Sequence, residues 1–177
     1  ARIGHTESEE RQEAGGKLTR SQLLSLLLIL ASVALWYIGY NAVTSKYSIY
    51  SSNVLNKDYN TTLLLANVAA LIAFIPVGII STKMGRKKMV IAGVVMLGSA
   101  FLVAAFMSSA TPPYVMMVIF ALAGIGWATI NVNSYPMVVE MSSAGDVGKY
   151  TGLYYTFSMS AQVITPILSG FLLEHIS

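Results

Sequence analysis

Two apolar runs of this chain, Leu63 to Ser81 and Met89 to Met107, are each long enough at helical rise to cross a hydrocarbon core about 30 Å thick. The stretch that joins them, Gly78 to Lys88, reads G-I-I-S-T-K-M-G-R-K-K, so four basic residues arrive within six positions where the first run stops. A segment inside lipid has to satisfy its backbone polar groups within the chain, and an uninterrupted apolar run does so as a helix. Lys83, Arg86, Lys87 and Lys88 then stay in the aqueous and headgroup layer, and a short basic loop between two spans belongs on the cytoplasmic side. Gly78 and Gly85 are expected to let the two helices and their tight turn approach closely.

Composition extends this reading to the whole chain. Of 177 residues 55% are hydrophobic and 11% charged, with mean hydropathy +0.64, whereas about a quarter of the residues in a soluble domain are charged. The sequence therefore predicts an all-α, polytopic transmembrane bundle. There is no cysteine, which excludes disulfides, a thiol nucleophile and cysteine metal sites. The net charge of +3 is a topology signal rather than a sign of nucleic acid, because the basic residues gather at the ends of spans. His5 and His175 lie near opposite ends of the chain and do not suggest a metal site.

Taken in order, residues 1–21 form a polar leader in which Arg2, Arg11, Lys17 and Arg20 face Glu7, Glu9, Glu10 and Glu13. It reads as a linker or short surface helix on the cytoplasmic side, and its acids argue against a signal peptide. Residues 22–177 are expected to hold five spans, at about 23–47, 63–82, 89–107, 114–139 and 150–173. In the first span, Trp36, Tyr40, Thr44 and Tyr47 follow helical spacing, with Asn41 beside them. This stripe either lines a cavity or forms an interfacial aromatic belt. A charge-poor connection follows, with the glycosylation sequon Asn60-Thr61-Thr62. The second span has Asn67 as its strongly polar interior residue and Pro76 near its end. The third holds small residues, Gly93, Ala100 and Ala104, and suits a peripheral position facing lipid, with those residues available to pack on a neighbour.

The fourth span carries G-I-G-W-A-T-I-N-V-N-S-Y-P-M-V-V-E, Gly124 to Glu140, where Trp127, Asn131 and Tyr135 recur at steps of four and share a face. An intramembrane asparagine needs a partner, which is either a neighbouring helix or a ligand in a cavity. In the fifth span Thr151, Tyr155, Ser158, Gln162 and Thr165 sit at steps of four, three, four and three, a polar stripe opposite Leu153, Phe157, Val163, Ile164, Leu168 and Phe171.

Topology follows from the basic residues of alternate loops. The leader, the Gly78 to Lys88 loop and the Met141 to Lys149 loop carry nine, against Lys46 and Lys57 on the other side. The N-terminus is therefore expected in the cytoplasm and the end of the fifth span outside, in a cell membrane.

The Gly78 to Lys88 stretch resembles the loop signature of the major facilitator superfamily, G-x-x-x-D-[RK]-x-G-R-[RK]-[RK]. Gly78, Lys83, Gly85, Arg86, Lys87 and Lys88 fit, and Thr82 stands at the acidic position, a departure that suggests a C-terminal half. The region from Gly124 to Gly170 resembles the glycoside, pentoside and hexuronide to cation symporters and the related sucrose-type transporters, with the likeness running from about Lys17 to Leu173. This resemblance implies helices seven to eleven of a twelve-helix transporter, with a six-helix N-terminal half as partner and a final helix beyond Ser177. It implies alternating access about a midplane site, a sugar or glycoside substrate and a coupling cation. The residues it would place on substrate are Trp36, Tyr40, Asn41, Trp127, Asn131, Tyr155 and Gln162, through aromatic faces against C–H surfaces and amides or hydroxyls against sugar hydroxyls. No charged residue is expected in the interior of a span, so the coupling group is expected in the other half.

A different class of function is a non-transporting membrane scaffold, or the partner half of a split transporter. An intramembrane enzyme has little support, since no Ser/His or Asp pair and no His/Glu cluster falls within a span, and no cofactor is implied.

Overall fold

A computed structural model describes residues 19–56, 58–142 and 145–176. Among them are five α-helices: α1 (Arg20–Tyr50), α2 (Tyr59–Met84), α3 (Arg86–Ala105), α4 (Pro113–Val139) and α5 (Val147–Ile176). The described residues form no strand, and the chain is a polytopic helical bundle. Four of the helices, α1 to α4, are long and apolar enough to cross a membrane. At 30 residues α5 spans about 45 Å, as long as the others, while its hydroxyl and amide side chains make it less apolar. Leu35, Leu71, Ile75 and Val118 are among many large apolar side chains left exposed, as expected where the solvent is lipid.

The leader up to residue 18 lies outside the described residues. Helix α1 begins immediately after it with a capping box, in which the Thr19 hydroxyl accepts from the Gln22 backbone N–H and the Gln22 side chain accepts from the Thr19 N–H. It runs well past Asn41, to Tyr50, and ends in a π-helical turn, Ser51–Leu55, closed by Asn56 in the left-handed region at φ 51°. Lys46 therefore lies within the helix rather than in a loop, and its Nζ stands 3.5 Å from where a Cβ on Gly170 of α5 would be. Helix α2 starts on Asp58, whose carboxylate accepts from the backbone N–H groups of Asn60 and Thr61. Within the sequon, the Asn60 amide donates to the same carboxylate, and the buried Thr62 hydroxyl is 2.8 Å from the Tyr47 hydroxyl.

Between α2 and α3 the chain reverses on Gly85 alone. Its φ of 86° is one that a side chain would strain, which explains a glycine there. Gly78 differs from the expectation: a Cβ would meet nothing within 4 Å, so it marks no close approach. The basic residue beside the turn is used structurally. Arg86, the first residue of α3, donates from Nε to Glu140 Oε1 at 2.7 Å and from its terminal nitrogen at 2.6 Å, tying α3 to the end of α4.

Helix α4 is the centre of the bundle. Gly124 meets α2 so closely that any Cβ would overlap the Ala66 carbonyl. Gly126 and Gly93 interlock with α3 in the same way: a Cβ on Gly93 would stand 2.8 Å from Ile130 Cγ1 and 3.0 Å from the Gly126 carbonyl oxygen. Small residues let backbones approach where lipid supplies no hydrophobic drive, and dispersion contacts accumulate instead. The third span thus keeps a lipid-facing side while Met89, Gly93, Leu97 and Ala100 are buried. Helix α5 packs mainly on α1, through Tyr150, Tyr154, Ser158, Ala161 and Thr165 against Leu26, Leu30, Val33 and Tyr37.

Candidate functional site

The side of α4 between its contacts with α2 and α3 carries Trp127, Asn131, Ser134 and Tyr135, brought together by their spacing of three and four. It turns toward α1 and α5, and its contacts are polar and aromatic. The Tyr37 hydroxyl of α1 donates to Asn131 Oδ1 at 3.1 Å, while Asn131 Nδ2 donates to the Trp127 carbonyl of its own helix. Ser134 and Tyr154 pair through their hydroxyls at 3.1 Å, as do Tyr135 and Thr151 at 3.2 Å. The rings form two groups: Tyr155, Tyr154 and Tyr135 are mutually within 6.0 Å, and Trp36, Tyr40, Trp127 and Phe74 follow one another at 6.3, 6.1 and 6.0 Å. These are the separations at which edge-to-face and tilted aromatic pairs attract.

Of the residues expected on substrate, Tyr40 and Trp127 come together. They line a small hollow between α1, α2, α3 and α4 with Thr44, Asn67, Phe101 and Phe120, about 20 Å³ in volume. Asn131 and Asn41 are not among its lining residues, and Asn41 donates to the Tyr37 carbonyl one turn back, at 2.8 Å. Trp36 is turned away from this hollow. It borders a separate groove between α1, α3 and α4, with Ser32, Lys87, Val90 and Ser134, and its Nε1 is enclosed without a partner among the described residues.

The polar stripe of α5 divides between two sides. Ser158 and Thr165 are buried against the bundle and donate to the carbonyls of Tyr155 and Ala161 of their own helix. Tyr155 is 48% exposed, and Gln162 is half-buried, with its amide 3.4 Å from the Ser158 carbonyl and 3.7 Å from Met159 Sδ. Tyr155 and Gln162 are thereby left on the open side and Ser158 and Thr165 are removed from it.

Two residues of this region were missed from sequence. Tyr37 and Tyr154 fall beside the stripes that spacing picked out, yet they make the inter-helix bonds. The signal was available for Tyr154, since Tyr150, Tyr154, Ser158, Ala161 and Thr165 recur at four, four, three and four, as regularly as the polar stripe. Asn67 was noted as a polar residue but had no partner to place it. None of the described residues lining the hollow is charged.

The sequence profile described as Major Facilitator Superfamily matches residues 24–177. No curated protein and no solved structure matches the chain.

Proposed function

Since the chain belongs to the Major Facilitator Superfamily and is a multi-pass membrane protein of transporter type, we propose that its open α1–α2–α4–α5 side is one wall of a translocation pathway for a neutral sugar or glycoside. The observation that carries this reading is the chemistry of the wall. Tyr40, Trp127 and Tyr155 offer ring faces, Asn41, Asn131 and Gln162 offer amides, and no charged group lines the hollow beside Tyr40 and Trp127. Rings suit the C–H faces of a pyranose, and uncharged amides suit hydroxyls that both donate and accept. An anionic or cationic solute would call for a counter-charge there. Movement proceeds by alternating access, with a coupling cation bound by charged groups of a second bundle, and with the leader and the Gly85 turn on the cytoplasmic side. In this reading the chain supplies helices seven to eleven of a sucrose-type or glycoside to cation symporter in the cell membrane.

The test is uptake by the whole encoded protein in proteoliposomes, using sucrose, maltose, lactose, melibiose and trehalose under proton and sodium gradients. Saturable uptake of at least one sugar, driven by one gradient and weakened by Trp127→Ala at unchanged protein abundance, is the expected result. No uptake of any of the five under either gradient would overturn the sugar reading.

A further inference from the structure

Four asparagines lie in the interior of the helices, and one of them differs from the rest. Asn41, Asn131 and Asn133 each turn their amide back to the carbonyl four residues earlier, at 2.8, 3.0 and 2.8 Å. This local bond gives the amide donor a partner in an apolar setting, although Asn133 Oδ1 stays buried without one among the described residues. Asn67 of α2 makes no hydrogen bond with any described residue. Its neighbours on the exposed side of α2, Leu64, Val68 and Leu71, are apolar, so it is the single polar side chain on that part of the helix.

Asn67 does not stand alone in space. It lines the hollow with Tyr40 and Trp127, and neither the Tyr40 hydroxyl nor the Trp127 Nε1–H has a partner among the described residues. Three residues on three helices, each with a hydrogen-bonding group unpaired among the described residues, thus line one uncharged hollow. Its volume of about 20 Å³ suits one water-sized group, since one such group needs at least about 10–15 Å³.

We propose that this hollow is a subsite for a single hydroxyl of the ligand, and that Asn67 is the specificity-determining residue that reads it. The amide both donates and accepts, as a hydroxyl does, and the Tyr40 hydroxyl supplies the second contact. A carboxylate or phosphate finds no cation in the hollow, and a bulkier substituent does not fit. The Trp127 ring beside it takes the C–H face of the same sugar ring. This subsite rests on the sugar reading above. A site that hydrogen-bonds a hydroxyl discriminates strongly against an analogue lacking it, because its own polar groups are then left unpaired.

The experiment uses the whole encoded protein with whichever of the five disaccharides it transports, together with the monodeoxy analogues of that sugar. Asn67→Ala is expected to weaken affinity for the parent sugar about tenfold. One deoxy analogue is expected to bind the unaltered protein and Asn67→Ala equally, because the hydroxyl that Asn67 reads is already gone. Val68→Ala, one position on, should leave every affinity within twofold. If Asn67→Ala does not accumulate, Asn67→Ser is measured in the same way, with a smaller loss confined to the same hydroxyl. Unchanged affinity in the variant, or an equal loss for the parent and all analogues, overturns the subsite while leaving sugar transport standing. Absence of uptake by the unaltered protein removes the sugar reading and this subsite with it.

Discussion

Helix α4 holds the bundle together by opposite means on its glycine sides and on the side between them. Gly124 meets α2 and Gly126, about 160° away around the helix, meets α3 backbone to backbone, with little or no room for another carbon at either glycine. On the side between, Trp127, Asn131, Ser134 and Tyr135 meet α1 and α5 through hydroxyls, an amide and tilted rings. The glycine contacts have a single packing solution, because close-packed backbone cannot yield by changing a rotamer. The polar face can exchange partners, since each hydroxyl and amide is able to bond another helix, water or a ligand with little loss. A protein that opens and closes around a solute needs both, and α4 supplies rigid and exchangeable contacts from one element.

The largest expected effect is at the glycine contacts. Gly124→Ala places a carbon against the Ala66 backbone and should destabilise by about 1–3 kcal/mol, the range for overpacking where the neighbour cannot move aside. Gly98→Ala is the matched control. It lies on the exposed side of α3 with nothing within 4 Å, and replacing a helical glycine there should be neutral or stabilise by up to about 1 kcal/mol. Thermal unfolding of both variants in detergent measures the difference, and equal midpoints would break the contrast between a locked and an open glycine.

Smaller losses are expected on the polar face. Tyr37→Phe removes the bond to Asn131, and inter-helix bonds of this kind in membranes are worth about 0.6 kcal/mol on average. Tyr37→Phe combined with Asn131→Leu should cost less than the sum of the single changes, because the second removes the acceptor that the first leaves unpaired. Strict additivity in unfolding measurements would show that the 3.1 Å contact contributes nothing.

How much of this was legible beforehand differs between the two kinds of contact. Spacing alone placed Trp127, Asn131 and Tyr135 together, since a helix repeats every 3.6 residues whatever it packs against. The same rule could not say that Trp36 borders the groove beside Lys87 and Val90 while Tyr40 lines the hollow beside Asn67, because four residues along a helix drift by about 40° and the neighbours decide the rest. Gly93 was recognisable as a packing residue. The contact of Gly124 with Ala66 was not, because it joins positions far apart in sequence and follows from the pairing of α2 with α4. Tyr37 was passed over for the same reason: its role depends on Asn131, a partner 94 positions away.

The Arg86 to Glu140 pair joins α3 to the end of α4. Both side chains reach solvent, 35% and 58% exposed, so screening and side-chain entropy limit the pair to at most about 1 kcal/mol. Glu140→Gln should lower stability slightly in dilute buffer, with the difference fading as salt is raised. A salt-independent difference would mean that Glu140 acts through packing.

The smallest effect lies where α2 begins. The Asp58 carboxylate is held below the ordinary carboxylate range chiefly by the backbone N–H of Asn60, with the Thr61 hydroxyl next. Its contribution is therefore fully present above the unfolded value of about 4, and it is lost as pH falls through the depressed folded value. Loss of the cap frees the first turn of α2, which includes Thr62 and its bond to Tyr47, but one turn further on Ala66 is fixed by Gly124. Acidification toward pH 3, or Asp58→Ala at neutral pH, should accordingly speed amide exchange in residues 59–62 and leave exchange beyond Ala66 unchanged. Only the Asp58→Ala variant should show the fast exchange at both pH values, once the intrinsic pH dependence of exchange is removed. Fraying that passes Ala66 would mean that the glycine contact does not fix α2, and the distinction between locked and exchangeable contacts of α4 would fail at its most closely packed point.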